Sequence, residues 1–206
     1  MPVVSPEYQH FIDTELARLE AYDNQRPDGH PYAFHLHTQR VAHSMRDLAL
    51  AMKMTPERAD ILYSAALAHD IGKRLLPVSI WDVEGKPDGD IKKQRRQHTT
   101  LGVQIVDEAF GADHHDAFID LMRDLMQNHH EAMDGSGWLQ KTGAALSLEA
   151  RMLCICDAFD GYSVWRPHYG DRDISAAAVI RRMTVEKPGQ FDEEIIPVFA
   201  ALHTCP

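Results

Sequence analysis

The sequence predicts an all-α fold. Apolar residues recur three or four positions apart along nearly all of the 206-residue chain, which is the spacing of residues on one face of an α-helix. No segment alternates apolar and polar residues as a half-buried strand does. Hydrophobic residues make up 44% of the chain, which is enough to bury one sizeable core. We therefore expect a single helical bundle of about seven to eight helices.

Interruptions of the apolar spacing set the order of these helices. The predicted helices cover roughly residues 6–22, 32–54, 55–69, 94–110, 114–129, 147–162, 175–186 and 192–203. The segment 71–93 contains Pro77, Gly85, Pro87 and Gly89. Because prolines and glycines interrupt regular structure, we expect this segment to be an irregular loop of the kind that carries function or moves.

Three hydroxyl residues are predicted to begin helices. Thr55, Ser147 and Ser175 each come directly before a helical pattern, where the side-chain oxygen can accept a hydrogen bond from a free backbone N–H. Pro197 falls early in the last predicted helix. A proline is tolerated there only in the first turn, since further along it would kink the helix.

Composition argues against several classes of function. The formal net charge of −10 argues against binding to a nucleic-acid polymer, which needs a basic surface. No apolar run approaches the roughly 20 residues that cross a bilayer, so we expect no membrane contact. Cys154, Cys156 and Cys205 are an odd number in a chain without a secretory signal. We expect a cytoplasmic protein in which Cys154 and Cys156 are reduced, buried residues.

The pair His69-Asp70 lies within the segment LAHDIGK, residues 67–73. An imidazole beside a carboxylate supplies two metal ligands of different hardness. Gly72 is expected to end a helix in a left-handed conformation, so that both ligands can face one ion. Lys73 then lies within reach of an anion held by the metal, and the alternative is that it caps the C-terminus of the helix.

Other histidines and an aspartate are placed where they could converge with this pair. His98, His129 and His130 lie near predicted helix ends, and His37 and Asp157 lie on helix faces. Together with the first pair they make a mixed imidazole and carboxylate set, which suits a first-row transition-metal ion such as iron, manganese or zinc, and not calcium. The remaining histidines are interpreted as surface or core residues, with His35 ambiguous. They are His10, His30, His43, His114, His115, His168 and His203.

With these residues in place, the chain resembles the HD-GYP branch of the HD-domain metal-dependent phosphohydrolases. The resemblance covers about residues 33–200 and keeps the order of the motifs. The motifs are His37-Thr38-Gln39-Arg40-Val41, His69-Asp70-Ile71-Gly72-Lys73, Pro77, His98 with Gly102, His129-His130-Glu131, Asp134-Gly135-Ser136-Gly137, Asp157-Ala158-Phe159-Asp160, Arg166-Pro167 and Phe191-Asp192. We therefore expect an N-terminal helix and loop over residues 1–30 and an HD-type domain over residues 31–206.

The resemblance implies a binuclear metal centre in which Asp70 bridges two ions. The first ion would be held by His37, His69, Asp70 and Asp157, and the second by Asp70, His98, His129 and His130. The implied activity is hydrolysis of cyclic di-GMP or a related cyclic dinucleotide by a metal-activated hydroxide. Asp70 and Lys73 would act in catalysis, and Glu131 and Asp160 would orient a ligand histidine or a water.

Two departures from the family pattern bear on substrate and metal number. Residues 137–139 read Gly-Trp-Leu where the family has Gly-Tyr-Pro, and Ala33 stands where some members have a glutamate for a third ion. We therefore expect two metals. Lys73 and Arg166 would contact phosphates and Trp138 would stack on a base. Alternatively, Trp138 is a core aromatic and Arg166 pairs with an aspartate of the segment 171–173.

Three functions stay open at this point. They are a cyclic dinucleotide phosphodiesterase, a phosphohydrolase for another nucleotide or phosphoester, and a non-catalytic signalling module that keeps the fold. The expected partner is a small phosphate-bearing substrate. A homodimer or a signalling protein is a further expectation, for which an exposed Trp81 would supply an apolar contact.

Overall fold

The computed structural model describes residues 4–27, 32–83, 85–165 and 171–204. Its α-helices are α1 (Pro6–Asp23), α2 (Phe34–Ala51), α3 (Pro56–Ala66), α4 (Gly89–Arg96), α5 (His98–Phe110), α6 (Ala117–Asn128), α7 (Leu148–Ser163), α8 (Ala176–Arg181) and α9 (Ile196–Thr204). Over the described residues, the only extended pairing is one isolated bridge between Asp134 and Thr142. The predicted all-α class is confirmed. None of the helices in the described part of the chain has both the length and the apolar character needed to cross a bilayer.

The predicted helix starts are present, and each depends on a side-chain cap. Thr55 accepts a hydrogen bond from the backbone N–H of Arg58 at 3.2 Å. Ser147 and Ser175 cap α7 and α8 in the same way, which satisfies backbone donors that have no partner within the helix. Pro197 is the second residue of α9, where the missing N–H costs little.

The segment 71–93 is more regular than expected. It begins with 3₁₀ turns at Ile71–Leu75 and Val78–Ile80 and continues into α4. The Asp88 carboxylate caps α4 by accepting from the Ile91 N–H at 2.8 Å. No residue of α4 is buried, so this helix has no apolar face and its periodicity could not be read from the sequence.

The core forms around α2, which packs against α1, α3, α7 and α9. Ile12, Met45, Leu62 and Met152 come from four different helices and are fully buried in one continuous cluster. Helix α1 therefore packs into the same core as the helices that follow it. Burial of this apolar area is the main term that holds the helices together.

Gly72 does not take the left-handed conformation that the sequence suggested, since the described glycines with positive φ are elsewhere. The reason for a glycine here is contact with α5. A Cβ at position 72 would lie 2.1 Å from the carbonyl oxygen of His98 and 2.5 Å from the backbone nitrogen of Gly102. Only glycine permits this approach, and the approach brings the His69-Asp70 turn against the first residue of α5.

Candidate metal centre

The carboxylate of Asp70 lies between two pairs of imidazoles. Its Oδ2 atom is 3.3 Å from His37 Nε2 and 3.4 Å from His69 Nε2. Its Oδ1 atom is 3.1 Å from His98 Nε2 and 3.6 Å from His129 Nε2. All five side chains are buried. Each carboxylate oxygen therefore faces its own pair of ring nitrogens, which is the arrangement of a bridging ligand.

These five residues come from four different places in the fold. His37 lies in the first turn of α2, His98 is the first residue of α5, and His129 directly follows α6. His69 and Asp70 lie in the turn after α3, which ends at Ala66. Because helices meet here by their ends, their side chains can converge without breaking the packing between the helices.

Asp157 and His130 complete the cluster. Asp157 Oδ1 is 3.0 Å from His37 Nε2, and its Oδ2 is 3.5 Å from His130 Nδ1. The structure thus places two groups side by side, one of His37, His69 and Asp70 and one of His98, His129 and His130. Each carboxylate oxygen of Asp157 thus contacts one of the two groups, whereas the resemblance implied a position with the first group alone.

Four of the histidines are oriented in the same way, with Nδ1 against a fixed oxygen of the protein. The contacts are His37 to Asp160 Oδ2 at 2.7 Å, His69 to the Ala66 carbonyl at 2.8 Å, His98 to the Arg95 carbonyl at 2.5 Å and His129 to the Met126 carbonyl at 2.9 Å. A carbonyl oxygen only accepts hydrogen bonds. In His69, His98 and His129, the three rings that face a carbonyl, Nδ1 therefore carries the proton and Nε2 presents a lone pair.

The inward-facing atoms fit a pair of cations. His69 Nε2 and Asp70 Oδ1 are buried without a hydrogen-bond partner. His98 Nε2 and His129 Nε2 lie 3.1 Å apart, although two unprotonated ring nitrogens cannot bond to each other. Buried lone pairs left unsatisfied cost free energy, and a transition-metal ion with nitrogen and oxygen ligands would satisfy them.

Burial keeps several of these histidines neutral. It lowers the pKa of His98 to about 4 and also lowers the pKa of His69 and His130. Neutral imidazole is the form that binds metal. Burial raises the pKa of Asp70, but the charge of Lys73 together with the contacts of His69, His129 and His37 holds that pKa well below its ordinary value. The site therefore combines neutral nitrogen ligands with an ionised carboxylate at neutral pH.

His37 behaves differently from the other histidines. Burial lowers its pKa, but hydrogen bonds to Asp157, Asp160 and Asp70 raise it more, to about 10. In the metal-free protein His37 therefore carries a proton that balances these carboxylates. A bound cation would take the place of that proton.

Asp160 is held on its other side by Arg40. The Arg40 guanidinium donates to both carboxylate oxygens of Asp160, at 2.6 and 2.9 Å. Asp160 thus links the His37 ring to Arg40, a residue that the sequence analysis did not single out. The signal was available, because His37 and Arg40 are three residues apart on α2, as Asp157 and Asp160 are on α7.

The carboxylate of Glu131 is bonded to the loop that follows it. Its carboxylate accepts hydrogen bonds from the backbone N–H groups of Leu139 and Lys141, at 2.6 and 2.9 Å. A Cβ at Gly137 would lie 2.5 Å from the Glu131 Cα, so the loop is packed directly on this residue. Glu131 therefore shapes the loop that carries Trp138, a side chain that is 36% exposed, and its described hydrogen bonds go to that loop and not to the clustered histidines.

Lys73 lies at the edge of the cluster and is buried. Its ammonium donates to Asp70 Oδ2 and lies 4.5 Å from the ring centroid of Phe34. Trp81, which the sequence analysis took to be exposed, is half-buried beside it. The indole N–H of Trp81 donates to the hydroxyl of Tyr22 at 2.8 Å. The Trp81 side chain therefore packs within the fold. Arg166 lies outside the described residues.

His115, interpreted as structural, and His35, left ambiguous, both have partners away from the cluster. His115 lies at the surface beside Asp120, 3.1 Å away, and His35 contacts Asp23 at 2.7 Å. Cys154 and Cys156 are free thiols and buried. Burial raises the pKa of both thiols, so they stay protonated and unreactive.

Comparison with known proteins identifies the family. The family model described as "HD domain" matches residues 35–162, which is more than half of the chain, and the chain belongs to that family. It is 29% identical over 163 residues to 3'3'-cGAMP-specific phosphodiesterase 1 of Vibrio cholerae, covering 79% of this chain and 36% of that protein. It is 30% identical over 154 residues to the cyclic di-GMP phosphodiesterase response regulator RpfG of Xanthomonas campestris, covering 74% and 38%. The chain thus spans less than two fifths of the length of these curated relatives.

The fold is also found in a solved structure. An HDG"Y"P protein of Bdellovibrio bacteriovorus superimposes with a TM-score of 0.67 at 16% identity, over 95% of this chain and 60% of that chain. At this identity the likeness concerns the fold alone. Together with the family match and the relatives, it confirms the resemblance that the motifs indicated.

Proposed function

We propose that this chain is a metal-dependent phosphodiesterase that hydrolyses cyclic di-GMP or a related cyclic dinucleotide. The observation that carries the proposal is the Asp70 carboxylate, which faces one pair of imidazoles with each of its oxygens. The relatives named for cyclic di-GMP and cGAMP hydrolysis support the substrate class.

The metal ligands in this proposal are the residues of the two groups together with Asp157. They are His37, His69, Asp70, Asp157, His98, His129 and His130. Iron or manganese suits this mixture of nitrogen and oxygen donors, and zinc or nickel is the alternative. When bound, two such ions would lower the pKa of a water molecule and offset negative charge on a phosphate.

The side chains of the protein orient these ligands and receive the substrate. Asp160 holds the His37 ring, and three backbone carbonyls hold His69, His98 and His129, so the four rings are oriented before any ion arrives. Such preorganisation lowers the cost of reorganising the site during reaction. Lys73 would place a positive charge against a phosphoryl oxygen at the edge of the cluster.

The base of the substrate would meet the loop held by Glu131. Trp138 and Leu139 are exposed large side chains on that loop. An indole face can stack on any nucleobase, which gives affinity without strict sequence preference. Arg166 is proposed as a second phosphate contact from its position in the family motif.

The test is a hydrolysis assay on the purified protein loaded with Fe²⁺ or Mn²⁺. Cyclic di-GMP, 3'3'-cGAMP and a panel of linear nucleotides are each incubated with it, and the products are separated by chromatography. The proposal expects a cyclic dinucleotide to be cleaved faster than every linear nucleotide. The reverse order would favour a phosphohydrolase for another nucleotide, the reading left open by Trp138 and Leu139 at the Gly-Tyr-Pro position.

A non-catalytic module is the third reading, and elemental analysis separates it from the other two. A scaffold need not hold stoichiometric transition metal, whereas the proposed enzyme does. A cytoplasmic location stays a prediction that the two buried free thiols support. A homodimer or a signalling partner likewise stays a prediction.

A further inference from the structure

The surroundings of Lys73 are unusual for a charged side chain. Its side chain is 9% exposed and its ammonium pairs with Asp70. Within the described part of the chain, Asp70 is the only hydrogen-bond acceptor of this ammonium. An ammonium has three N–H donors, so two of them are left for an incoming anion.

Two aromatic rings, Phe34 and Trp81, form a corner around this ammonium. The Lys73 nitrogen is 4.5 Å from the Phe34 centroid and 5.5 Å from the Trp81 centroid. The two rings are 5.0 Å apart and inclined by 70°. We call this pair the aromatic corner. Both distances lie within the range in which a ring face attracts a cation.

Helix α1 and the segment after it brace the aromatic corner. Tyr22 accepts from the Trp81 indole at 2.8 Å and donates to the Leu76 carbonyl at 2.7 Å. Arg26 lies 4.2 Å from the Phe34 centroid and pairs with Asp82, the residue after Trp81. Tyr22, Arg26 and Phe34 all precede residue 35, where the family match begins. The corner therefore depends on a part of this chain that the family model does not include.

A ring face stabilises a cation differently from a carboxylate. It attracts the charge without neutralising it and without occupying an N–H donor. If Asp70 turns its charge toward metal ions, the aromatic corner keeps the Lys73 ammonium in place with its positive charge and its donors available to a phosphate. A flexible four-carbon lysine in an open site would lose this position.

We propose that Phe34 and Trp81 are positioning residues that hold the Lys73 ammonium beside Asp70 for contact with a substrate phosphate, an inference that rests on the proposed function. Phe34 is 3% exposed and belongs to a small cluster separate from the main core. Phe34 is therefore buried among Tyr22, Tyr32 and Trp81, with the Lys73 ammonium against its ring, and not within the main core.

The test is a double-mutant cycle read by phosphate binding. The affinity of inorganic phosphate for the Mn²⁺-loaded protein is measured by calorimetry for Phe34→Leu and for Trp81→Leu, each with Lys73 present and with Lys73→Met. With Lys73 present we expect each ring substitution to weaken phosphate binding roughly three- to thirtyfold, and with Lys73→Met less than about twofold. Phe110→Leu is the matched control, since the Phe110 ring packs against Tyr8 and Phe11 at the opposite end of α5 from His98.

The outcomes separate the positioning role from a structural one. Equal weakening in both Lys73 backgrounds, no weakening in either, or no phosphate affinity in the wild-type protein would each overturn the proposal. If Phe34→Leu does not fold, the cycle with half-buried Trp81 decides the matter. A cycle that behaves as expected in a protein that cleaves no cyclic dinucleotide would support the positioning of Lys73 and contradict the proposed function.

Discussion

Replacing Asp160 tests how far the metal centre depends on the group behind His37. Asp160 accepts from His37 Nδ1 at 2.7 Å and from Arg40 at 2.6 and 2.9 Å. Asp160→Asn keeps an oxygen that can accept from the ring but removes the negative charge. Asp160→Ala removes both. Because losing such an outer contact typically weakens metal binding about 10- to 100-fold, we expect about tenfold for the asparagine variant and about 100-fold for the alanine variant.

Asp160 also raises the pKa of His37, so its removal has two opposite effects on metal binding. Removing its charge makes the competing proton easier to displace. A divalent ion carries twice the charge of that proton, so the lost attraction weakens the metal more than the proton. The loss of metal affinity therefore prevails, and about tenfold corresponds to about 1.4 kcal/mol.

The assay is competition for Mn²⁺ between the metal-free protein and a coloured chelator. Arg40→Gln is one control, because the Arg40 side chain is 46% exposed and a pair of this kind is worth about 0–1 kcal/mol, less than about fivefold. Asp60→Asn is the other, since it breaks a comparable pair with Arg46 away from the site. Wild-type affinity in both Asp160 variants, or an equal loss in Asp60→Asn, would refute the reasoning.

Three further predictions concern the turn, the loop and pH. Gly72→Ala should lower the free energy of unfolding by about 3 kcal/mol, because its Cβ would lie 2.1 Å from the His98 carbonyl oxygen. Gly89→Ala, with no atom near its Cβ, is the neutral control in urea denaturation. Glu131→Gln should raise the KM for the cyclic dinucleotide about tenfold, because the loop at Leu139 and Lys141 loses charge-assisted hydrogen bonds. The metal content should stay unchanged, and a change in metal content alone would contradict this prediction. In the metal-free protein the raised pKa of His37, about 10 against 6.5, adds stability that is fully present below pH 6.5 and is lost as pH rises through about 10. The difference in unfolding free energy between the wild type and His37→Gln should therefore fall over that window, and a flat difference would contradict the charge assigned to His37.

Much of the candidate site could be predicted because its residues are few, chemically distinctive and mostly placed at helix ends. His69, His98 and His129 each lie where a helical pattern begins or stops in the sequence, and the structure brings them to one point. Asp70 could be given a bridging position only through the family resemblance. The spacing of residues along the chain says nothing about which oxygen faces which ring.

The expectations that were wrong depend on contacts between distant residues. Gly72 is needed for its approach to α5 rather than for a left-handed turn, and Trp81 is turned inward by its bond to Tyr22, 59 positions away. Helix α4 has no buried face, so no apolar pattern could indicate it. Glu131 follows His129 and His130 in sequence, and its bonds to the backbone of Leu139 and Lys141 are a further contact that the spacing of residues does not indicate.

The central claim is that Asp70 holds two metal ions together, and metal stoichiometry tests it most directly. Elemental analysis after reconstitution with Mn²⁺ should find two ions per chain in the wild type. We expect Asp70→Ala to lose most of this metal and all hydrolysis, while His115→Ala, which alters the exposed histidine beside Asp120, should keep both. An Asp70→Ala protein with two ions per chain and full activity would contradict the account.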